Sequence, residues 1–248
     1  MENFWKDIDD KKKKLDQNRP LAKNAVKSLR DKLALEWTHH SNAIEGNTLT
    51  LSETKVVLEG ITIGGKSIKE HLEVIHHKKA IDYLESIISK KVELSEPEIK
   101  KIHSLILKNI NPEHAGVYRT ERVFITGARH IPPAPKKLEV KMKQLMKFYQ
   151  EDWMNLHPVE RSALLHIEFV KIHPFIDGNG RTSRLLQNFE LMKYGFPPII
   201  IKKEQKLEYY EALDKAHMTD NTKDFFKMCK ESLNQSFNLY LEIIKEIE

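Results

Sequence analysis

The residues best suited to chemistry lie in one stretch of twelve, HPFIDGNGRTSR, at positions 173–184. His173 is a base that titrates near neutrality. Gly178 and Gly180 let backbone amides approach a ligand without an intervening side chain, and the amides at the start of a following helix would point the same way. The stretch therefore predicts an anion cradle beside a general base.

Three charged residues complete this stretch. Arg181 and Arg184 are three positions apart, so on a helix they share a face and can meet a polyphosphate together. Asp177 is suited to hold a divalent cation at the same phosphates. The structural alternative is a glycine turn between two core helices, with surface arginines and a capping histidine. The concentration of these residue types in so short a segment favours a functional site.

Helices are predicted on both sides of this stretch. The preceding segment, HPVERSALLHIEFVKI, is apolar almost all round, which indicates a buried central helix. The following segment, LLQNFELMKYG, continues an apolar helical stripe that Gly195 can close. The candidate site is thus expected at the junction of two buried helices.

The rest of the chain also reads as helices. Thr50 and Glu53, and again Ser95 and Glu98, have the spacing of a capping box. One interruption is RVFITGARHIPPAP, where strand formers precede a turn glycine and two prolines. The sequence predicts an all-α fold with one small exposed β-hairpin.

The composition is that of a globular protein: 248 residues, 40% hydrophobic and 31% charged, with a formal net charge of +5. Cys229 is the single cysteine, so no intrachain disulfide can form. The basic charges are dispersed, and Lys11–Lys14 follow three aspartates, which favours a solvated helix face. No apolar run is long enough to span a bilayer. We therefore expect a cytoplasmic protein whose partners are neither nucleic acid nor membrane.

A second motif points to different chemistry. GITIGGKS, residues 60–67, fits the pattern of a phosphate loop with Lys66 and Ser67 in the expected places. A phosphate loop follows a buried parallel strand, whereas the preceding segment TLSETKVVLE reads as a capped amphipathic helix. A P-loop NTPase is therefore a remote alternative, and a non-enzymatic helical scaffold is another.

The twelve-residue stretch resembles the signature of Fic-domain proteins, a histidine followed by PF, an acid, GNGR and a second arginine. The similarity extends to the predicted hairpin, to YGFPPI, and to SNAIEGNTLT, and it covers most of residues 38–230. The resemblance implies an all-helical Fic-fold bundle with a small β-hairpin flap. It also implies an enzyme that transfers AMP from ATP to a Ser, Thr or Tyr hydroxyl of a target protein and releases pyrophosphate.

The resemblance assigns roles within the motif. His173 would remove the proton from the target hydroxyl, and Asp177 would carry Mg2+. The residues implied to hold the phosphates of ATP are Gly178, Asn179, Gly180, Arg181 and Arg184.

Further roles follow from the same resemblance. The flap would align the target by adding a strand, and the residues that occupy its position are Val123, Phe124, Ile125 and Thr126. Tyr209 and Tyr210 resemble the wall on the adenine side. His217 stands where close relatives often carry an asparagine, which leaves UTP or another nucleotide open as donor.

A possible inhibitory motif lies near the start of the chain. SNAIEGN, residues 41–47, resembles the family's inhibitory motif, in which Glu45 would pair with Arg184 and misplace the γ-phosphate of ATP. Ser41, one turn earlier, would fix that helix. The structural alternative is a helix end closed by Gly46 with Glu45 exposed. In some relatives the same glutamate supports removal of AMP, so a de-AMPylase or bifunctional enzyme stays open.

The resemblance also predicts the organisation of the chain. Residues 1–90 would form an N-terminal helical region with the inhibitory helix at about 36–46. Residues 91–230 would form the catalytic core with its flap hairpin at 121–133, and residues 231–248 a C-terminal helix. The expected partner is a target protein, and self-AMPylation and a homodimer stay open.

Overall fold

The computed structural model describes residues 4–245, which form ten α-helices and no β-strand. The helices are α1 (Lys6–Gln17), α2 (Lys23–Ile44), α3 (Leu51–Leu58), α4 (Ile68–Ser89), α5 (Glu96–Leu107), α6 (Leu138–Lys147), α7 (Pro158–Ile172), α8 (Asn179–Lys193), α9 (Lys206–Thr219) and α10 (Lys223–Lys245). The prediction of an all-α fold is confirmed. None of the helices within the described range combines the length and apolarity needed to cross a bilayer.

Short polar motifs fix where several helices begin. The Thr50 hydroxyl accepts a hydrogen bond from the Glu53 amide at 3.2 Å, and the Glu53 carboxylate accepts one from the Thr50 amide at 2.7 Å. Ser95 caps α5, but the predicted box is only half formed, because the Glu98 carboxylate accepts from the Tyr83 hydroxyl instead. An unpredicted capping box, formed by Ser67 and Glu70, starts α4. These caps satisfy amides that a helix start leaves without partners.

The phosphate-loop alternative finds no support in the fold. Residues 60–67 follow helix α3 rather than a strand, and Ser67 serves as the cap of α4. The Lys66 ammonium donates to the carbonyl and to the hydroxyl of Thr48, at 2.8 and 3.0 Å. Lys66 thus ties two loops together.

Helices α7 and α8 pack against each other at the centre of the molecule. One apolar cluster joins α8 to residues of α2, α4 and α5. A second cluster joins α7 to residues of α1, α9 and α10. The two central helices are therefore held from both sides, which fixes the loop that connects them.

The apolar clusters cross the predicted divisions of the chain. Trp5 and Phe237, from the first and last predicted segments, share a cluster with Val159 of the middle one. The predicted segments include residues 1–3 and 246–248, which lie outside the described residues. Helix α10 begins at Lys223, whereas the C-terminal helix was predicted to begin at residue 231.

The helix that carries the inhibitory motif is longer than predicted. Helix α2 starts at Lys23 rather than near residue 36, and it ends at Ile44. Leu29, Leu33 and Trp37 are buried at helical spacing along the added turns. This apolar stripe stabilises the helix against the core.

The segment 121–133 does not form the predicted β-hairpin. Its two ends are joined by a side chain, because the Arg119 guanidinium donates to the carbonyls of Glu121 at 2.9 Å and Pro133 at 2.6 Å. A turn places the Ala128 amide 3.1 Å from the Ile125 carbonyl. The prolines lack the amides that a ladder needs, so the segment is an extended loop.

Candidate active site

The loop between α7 and α8 is bounded by two residues in the left-handed region. His173 ends α7 with φ 50°, and Gly178 precedes α8 with φ 77°. A side chain at Gly178 would be strained by this backbone and would also approach the ring of His103 at 3.2 Å. The glycine thus permits the sharp return of the chain.

Asn179 closes this loop from inside. Its side-chain amide donates to the Phe175 carbonyl at 2.8 Å, and its side-chain oxygen accepts from the Phe175 amide at 3.0 Å. The resemblance assigned Asn179 to the phosphates, but its side chain is used within the loop. Any contact of Asn179 with a ligand would come from its backbone.

The backbone amides of residues 179–181 correspond to the predicted anion cradle. In the described part of the chain, none of them donates to a protein acceptor. They lie in the first turn of α8, where helix amides lack partners four residues earlier. The helix dipole adds to their attraction for a negative group.

Arg184 is buried and fully engaged. Its guanidinium donates to the Glu45 carboxylate at 2.7 Å, and to the hydroxyl and carbonyl of Ser41 at 3.0 and 2.8 Å. Burial alone would lower the pKa of Arg184, but the Glu45 carboxylate reverses this effect and the pKa is raised. The structure thus places Glu45 and Ser41 against the arginine that the sequence singled out.

The Glu45 carboxylate lies directly over the start of α8. A Cβ added to Gly180 would collide with the Glu45 carboxylate oxygen. Glu45 is also the residue that follows the last turn of α2, and Gly46 closes that helix with φ 102°. Glu45 therefore lies at a helix end closed by Gly46, as the structural alternative had it, and it also pairs with Arg184.

Arg181 has a partner that the sequence did not indicate. It is 2% exposed and lies 3.2 Å from the carboxylate of Asp177 and 3.6 Å from that of Glu73. Glu73, on α4, also accepts a hydrogen bond from the Asn47 side chain at 2.9 Å. Because Glu73 is far from the motif along the chain, no local spacing could reveal it.

Burial lowers the pKa of His173 to about 4, helped by the positive charge of Arg119 and opposed by the Glu45 carboxylate. The imidazole is therefore neutral at pH 7 and can accept a proton. The guanidinium of Arg119 donates to the carbonyl of His173 at 2.8 Å, and its amide donates to that of Pro174 at 3.0 Å. The sequence analysis did not identify Arg119 as a site residue, although the predicted hairpin begins two residues after it.

His103 supports the loop from α5. The Gly116 amide donates to Nδ1 of His103 at 2.8 Å, so Nε2 carries the proton and donates to the Asp177 carbonyl at 2.8 Å. The ring stacks on Phe175 with 3.5 Å between centroids. Burial lowers the pKa of His103 to about 4, which keeps this arrangement neutral.

The two tyrosines assigned to the adenine side have different surroundings. Tyr209 is 1% exposed, and its hydroxyl lies 2.8 Å from Nε2 of His166. Tyr210 is 40% exposed, and its hydroxyl donates to the Ile44 carbonyl at 3.3 Å. Only Tyr210 presents an open ring. The His217 ring is buried and bonded to a backbone carbonyl of α7.

Asp177 remains half exposed, at 49%. Burial opposes its charge, but the Arg181 guanidinium and the Gly178 amide lower the pKa of this carboxyl. No cluster of three or more His, Cys, Asp or Glu side chains that could hold a metal occurs in residues 4–245. A cation here would need ligands from the substrate as well.

The loop residues assigned to target binding offer a free edge. Phe124 is 74% exposed. Across the described residues, no protein group bonds to the amide or carbonyl of Val123 or Phe124. Ile125 and Thr126 form the turn that follows. Unpaired backbone of this kind can pair with an extended peptide.

Fold and site together define a class of helical protein, in which a histidine ends one central helix and an anion cradle starts the next. The family model described as "Fic/DOC family" matches residues 93–191. A solved structure of Fic-1 from C. elegans aligns with a TM-score of 0.89 and 32% identity, over 98% of this chain and 72% of that one. A Fic-domain signaling protein from Bacteroides thetaiotaomicron aligns with a TM-score of 0.87 and 32% identity, over 97% and 96% of the two chains.

The chain belongs to the Fic/DOC family. Two relatives bear the name protein adenylyltransferase Fic: that of Nematostella vectensis is 40% identical over 94% of this chain, and that of Drosophila willistoni 38% over 89%. These alignments cover 55% and 44% of the relatives themselves, so the chain spans about half their length.

Proposed function

We propose that this chain transfers AMP from ATP to a hydroxyl group of a target protein and releases pyrophosphate. The observation that carries the proposal is a neutral, half-buried base, His173, at one end of the loop whose other end leads into the three unpartnered amides of residues 179–181. A base and a phosphate cradle side by side are what attack on a phosphate requires. The names of the relatives support the same reaction.

The phosphates of ATP are bound at the start of α8. The amides of residues 179–181 donate hydrogen bonds to the phosphate oxygens, which take the place that the Glu45 carboxylate occupies in this structure. Arg181, which lies beside Asp177, and Arg184, once it is released by Glu45, neutralise the remaining phosphate charge. Asp177, with one half-exposed carboxylate, fits Mg2+, which commonly takes one or two carboxylates together with phosphate oxygens. When bound, the cation offsets the charge of the departing pyrophosphate.

The transfer is a displacement at the α-phosphorus. The target hydroxyl oxygen forms a bond to that phosphorus while the neutral imidazole of His173 takes the hydroxyl proton. The bond from the α-phosphorus to the oxygen that bridges to the β-phosphate breaks, and pyrophosphate leaves with the electron pair. Arg119 and Asn179 hold the loop, so the base is already placed before the target arrives.

The target is aligned by the loop at residues 121–133. Val123 and Phe124 have free backbone groups, and an extended target segment can pair with them. The ends of this loop are held by Arg119, which also bonds to the carbonyl of His173. This link keeps the bound segment at a fixed distance from the base.

Glu45 acts as a brake on this reaction. Its carboxylate occupies Arg184 and covers Gly180, so ATP bound in its presence cannot place its terminal phosphates correctly. A hydrogen bond to a charged group contributes about 1.5 to 3 kcal/mol, which corresponds to activity held down about ten- to hundredfold. Ser41 supports the brake because it holds the same guanidinium.

The test compares wild type, Glu45→Gly and Glu59→Gly with ATP labelled at the α-phosphate and a cell extract. Glu59 is a matched control, since it also follows the last turn of a helix, α3, and precedes a left-handed glycine. We expect about ten- to hundredfold more label on protein with Glu45→Gly and no change with Glu59→Gly. Parallel reactions with labelled UTP, GTP and CTP identify the donor. Unchanged labelling by Glu45→Gly removes the brake, and label retained by Glu45→Gly/His173→Ala overturns the proposed chemistry.

A further inference from the structure

A groove of about 650 Å³ runs beside the candidate active site. It lies between the loop at residues 121–133 and helices α6 and α7. Its lining includes Lys171 and Ile172, which immediately precede His173 in the chain. A segment lying in the groove would therefore lead to the base.

The groove is strongly basic. A single carboxylate, that of Glu168, faces five basic side chains: Arg122, Lys136, Lys137, Lys141 and Lys171. Lys171 is paired with the exposed Asp220 at 3.2 Å. Within residues 4–245, the other four form no ion pair. Such a concentration of one sign attracts and orients an oppositely charged partner.

The same groove exposes large apolar side chains. Ile131 is 62% exposed and Phe148 is 44% exposed, and both line it. Phe124, at 74%, lies outside the lining but on the same loop at residues 121–133. Exposed apolar side chains grouped beside charged ones are typical of a protein-binding surface.

We propose that this groove binds a segment of the target protein in which acidic residues alternate with apolar ones. The inference rests on the proposed AMP transfer and specifies its class of protein substrate. Carboxylates of the segment pair with the lysines of the groove, and its apolar residues pack on Ile131 and Phe148. The proposed reaction takes a protein hydroxyl as its acceptor, which favours a protein segment as the occupant. A single-stranded oligonucleotide, whose bases could stack on Phe148, is the competing outcome of the test.

The test measures binding of a fluorescent fifteen-residue peptide of glutamate and phenylalanine with one central serine. Its counterpart has glutamine in place of every glutamate. The protein carries Glu45→Gly, and anisotropy is followed at low and at high salt. We expect the glutamate peptide to bind about tenfold more tightly than the glutamine peptide, with the difference shrinking as salt rises.

Variants of the groove decide where the peptide binds. Lys136→Glu/Lys141→Glu should weaken binding of the glutamate peptide about tenfold or more, because both side chains are exposed and only charge is changed. The matched control, Lys13→Glu/Lys14→Glu, reverses two exposed charges on α1 and should leave binding unchanged. Circular dichroism confirms that both variants are folded.

Three outcomes overturn the groove proposal: no binding of the glutamate peptide, equal binding of the two peptides, or equal losses in the groove and control variants. Tighter binding of a single-stranded oligonucleotide through the same lysines also overturns it. His173→Ala separates this result from the proposed chemistry, since it leaves the groove intact. If the peptide binds but neither wild type nor Glu45→Gly transfers AMP, the proposed AMP transfer is refuted and the groove proposal stands.

Discussion

Arg119 bonds to both the loop at 173–178 and the loop at 121–133, but these two regions are built in opposite ways. The first is held from all sides by the side chains of Asn179, His103 and Arg119. The second is held at its ends by Arg119 and near Arg129 by Asp214, but at Val123 and Phe124 its backbone groups are free and Phe124 is exposed. A site that stabilises developing charge gains from a fixed geometry, whereas a surface that accepts varied partners gains from unpaired backbone.

The largest expected effect tests the fixed region. His173→Ala in the Glu45→Gly protein should lower AMP transfer about 10²- to 10⁴-fold, because it removes the base. ATP binding should persist, since the amides and arginines remain. Transfer is measured with labelled ATP and binding by calorimetry. His114→Ala, an exposed histidine outside the site, is the control and should change neither quantity.

The second prediction breaks the link between the regions. Arg119 is 4% exposed and donates to three carbonyls. Arg119→Ala leaves those carbonyls without a charged donor and should lower the free energy of unfolding by about 3 kcal/mol, measured by urea denaturation. Arg119→Lys should recover part of this loss. Arg122→Ala, exposed in the same region, should leave stability unchanged. Equal stability of Arg119→Ala and wild type would refute the link.

The third prediction concerns the buried and half-buried histidines of the chain, among which His103 and His173 belong to the fixed region. Burial lowers the pKa of eight of them: His39, His40, His76, His77, His103, His166, His173 and His217. Below pH 6.5 the unfolded chain binds protons that the folded chain does not. The free energy of unfolding should therefore be steady above pH 6.5 and fall as pH drops toward 4, by about 1.4 kcal/mol per pH unit for each proton.

Urea denaturation between pH 7.5 and 5 measures this slope. His166→Gln, which keeps a side chain able to hydrogen-bond near Tyr209, should reduce the slope by about one proton. A folding free energy that does not vary between pH 7.5 and 5 would show that these imidazoles are not buried as neutral groups.

The smallest expected effect tests the free backbone of the second region. Val123→Pro and Phe124→Pro each remove one amide, while Val123→Ala and Phe124→Ala keep it. One hydrogen bond contributes about 1 kcal/mol, so the proline variant whose amide meets the target should label it about fivefold less than its alanine partner. ATP binding should not change. Equal labelling by all four variants would exclude backbone pairing at these positions.

Local patterns in the sequence predicted the helical fold, two helix caps and the motif between α7 and α8. Those predictions succeeded because caps and helical periodicity depend on neighbours a few residues apart. The hairpin prediction failed because Pro132 and Pro133 lack the amides that a ladder needs, and the Arg119 guanidinium holds the carbonyls of Glu121 and Pro133 instead. Strand-forming residues alone do not show where their hydrogen bonds go.

The candidate site shows the same division. The contact of Glu45 with Arg184 agrees with what the family resemblance implied. The contacts of Arg181 with Glu73 and of Asp177 with His103 join residues far apart in the chain, and no spacing reveals them. The burial of Tyr209 likewise depends on how α9 packs on α7, which a single amphipathic pattern leaves undetermined.

Under the proposed function, the position of the Glu45 carboxylate over Gly180 would make it an intramolecular competitor of ATP. A competitor carried on the same chain has an effective concentration that dilution of the protein does not lower. The apparent affinity for productively bound ATP is then proportional to the fraction of molecules in which α2 has moved away, so it is low when that fraction is small. Any partner that binds only the displaced form of α2 would raise activity without touching the nucleotide.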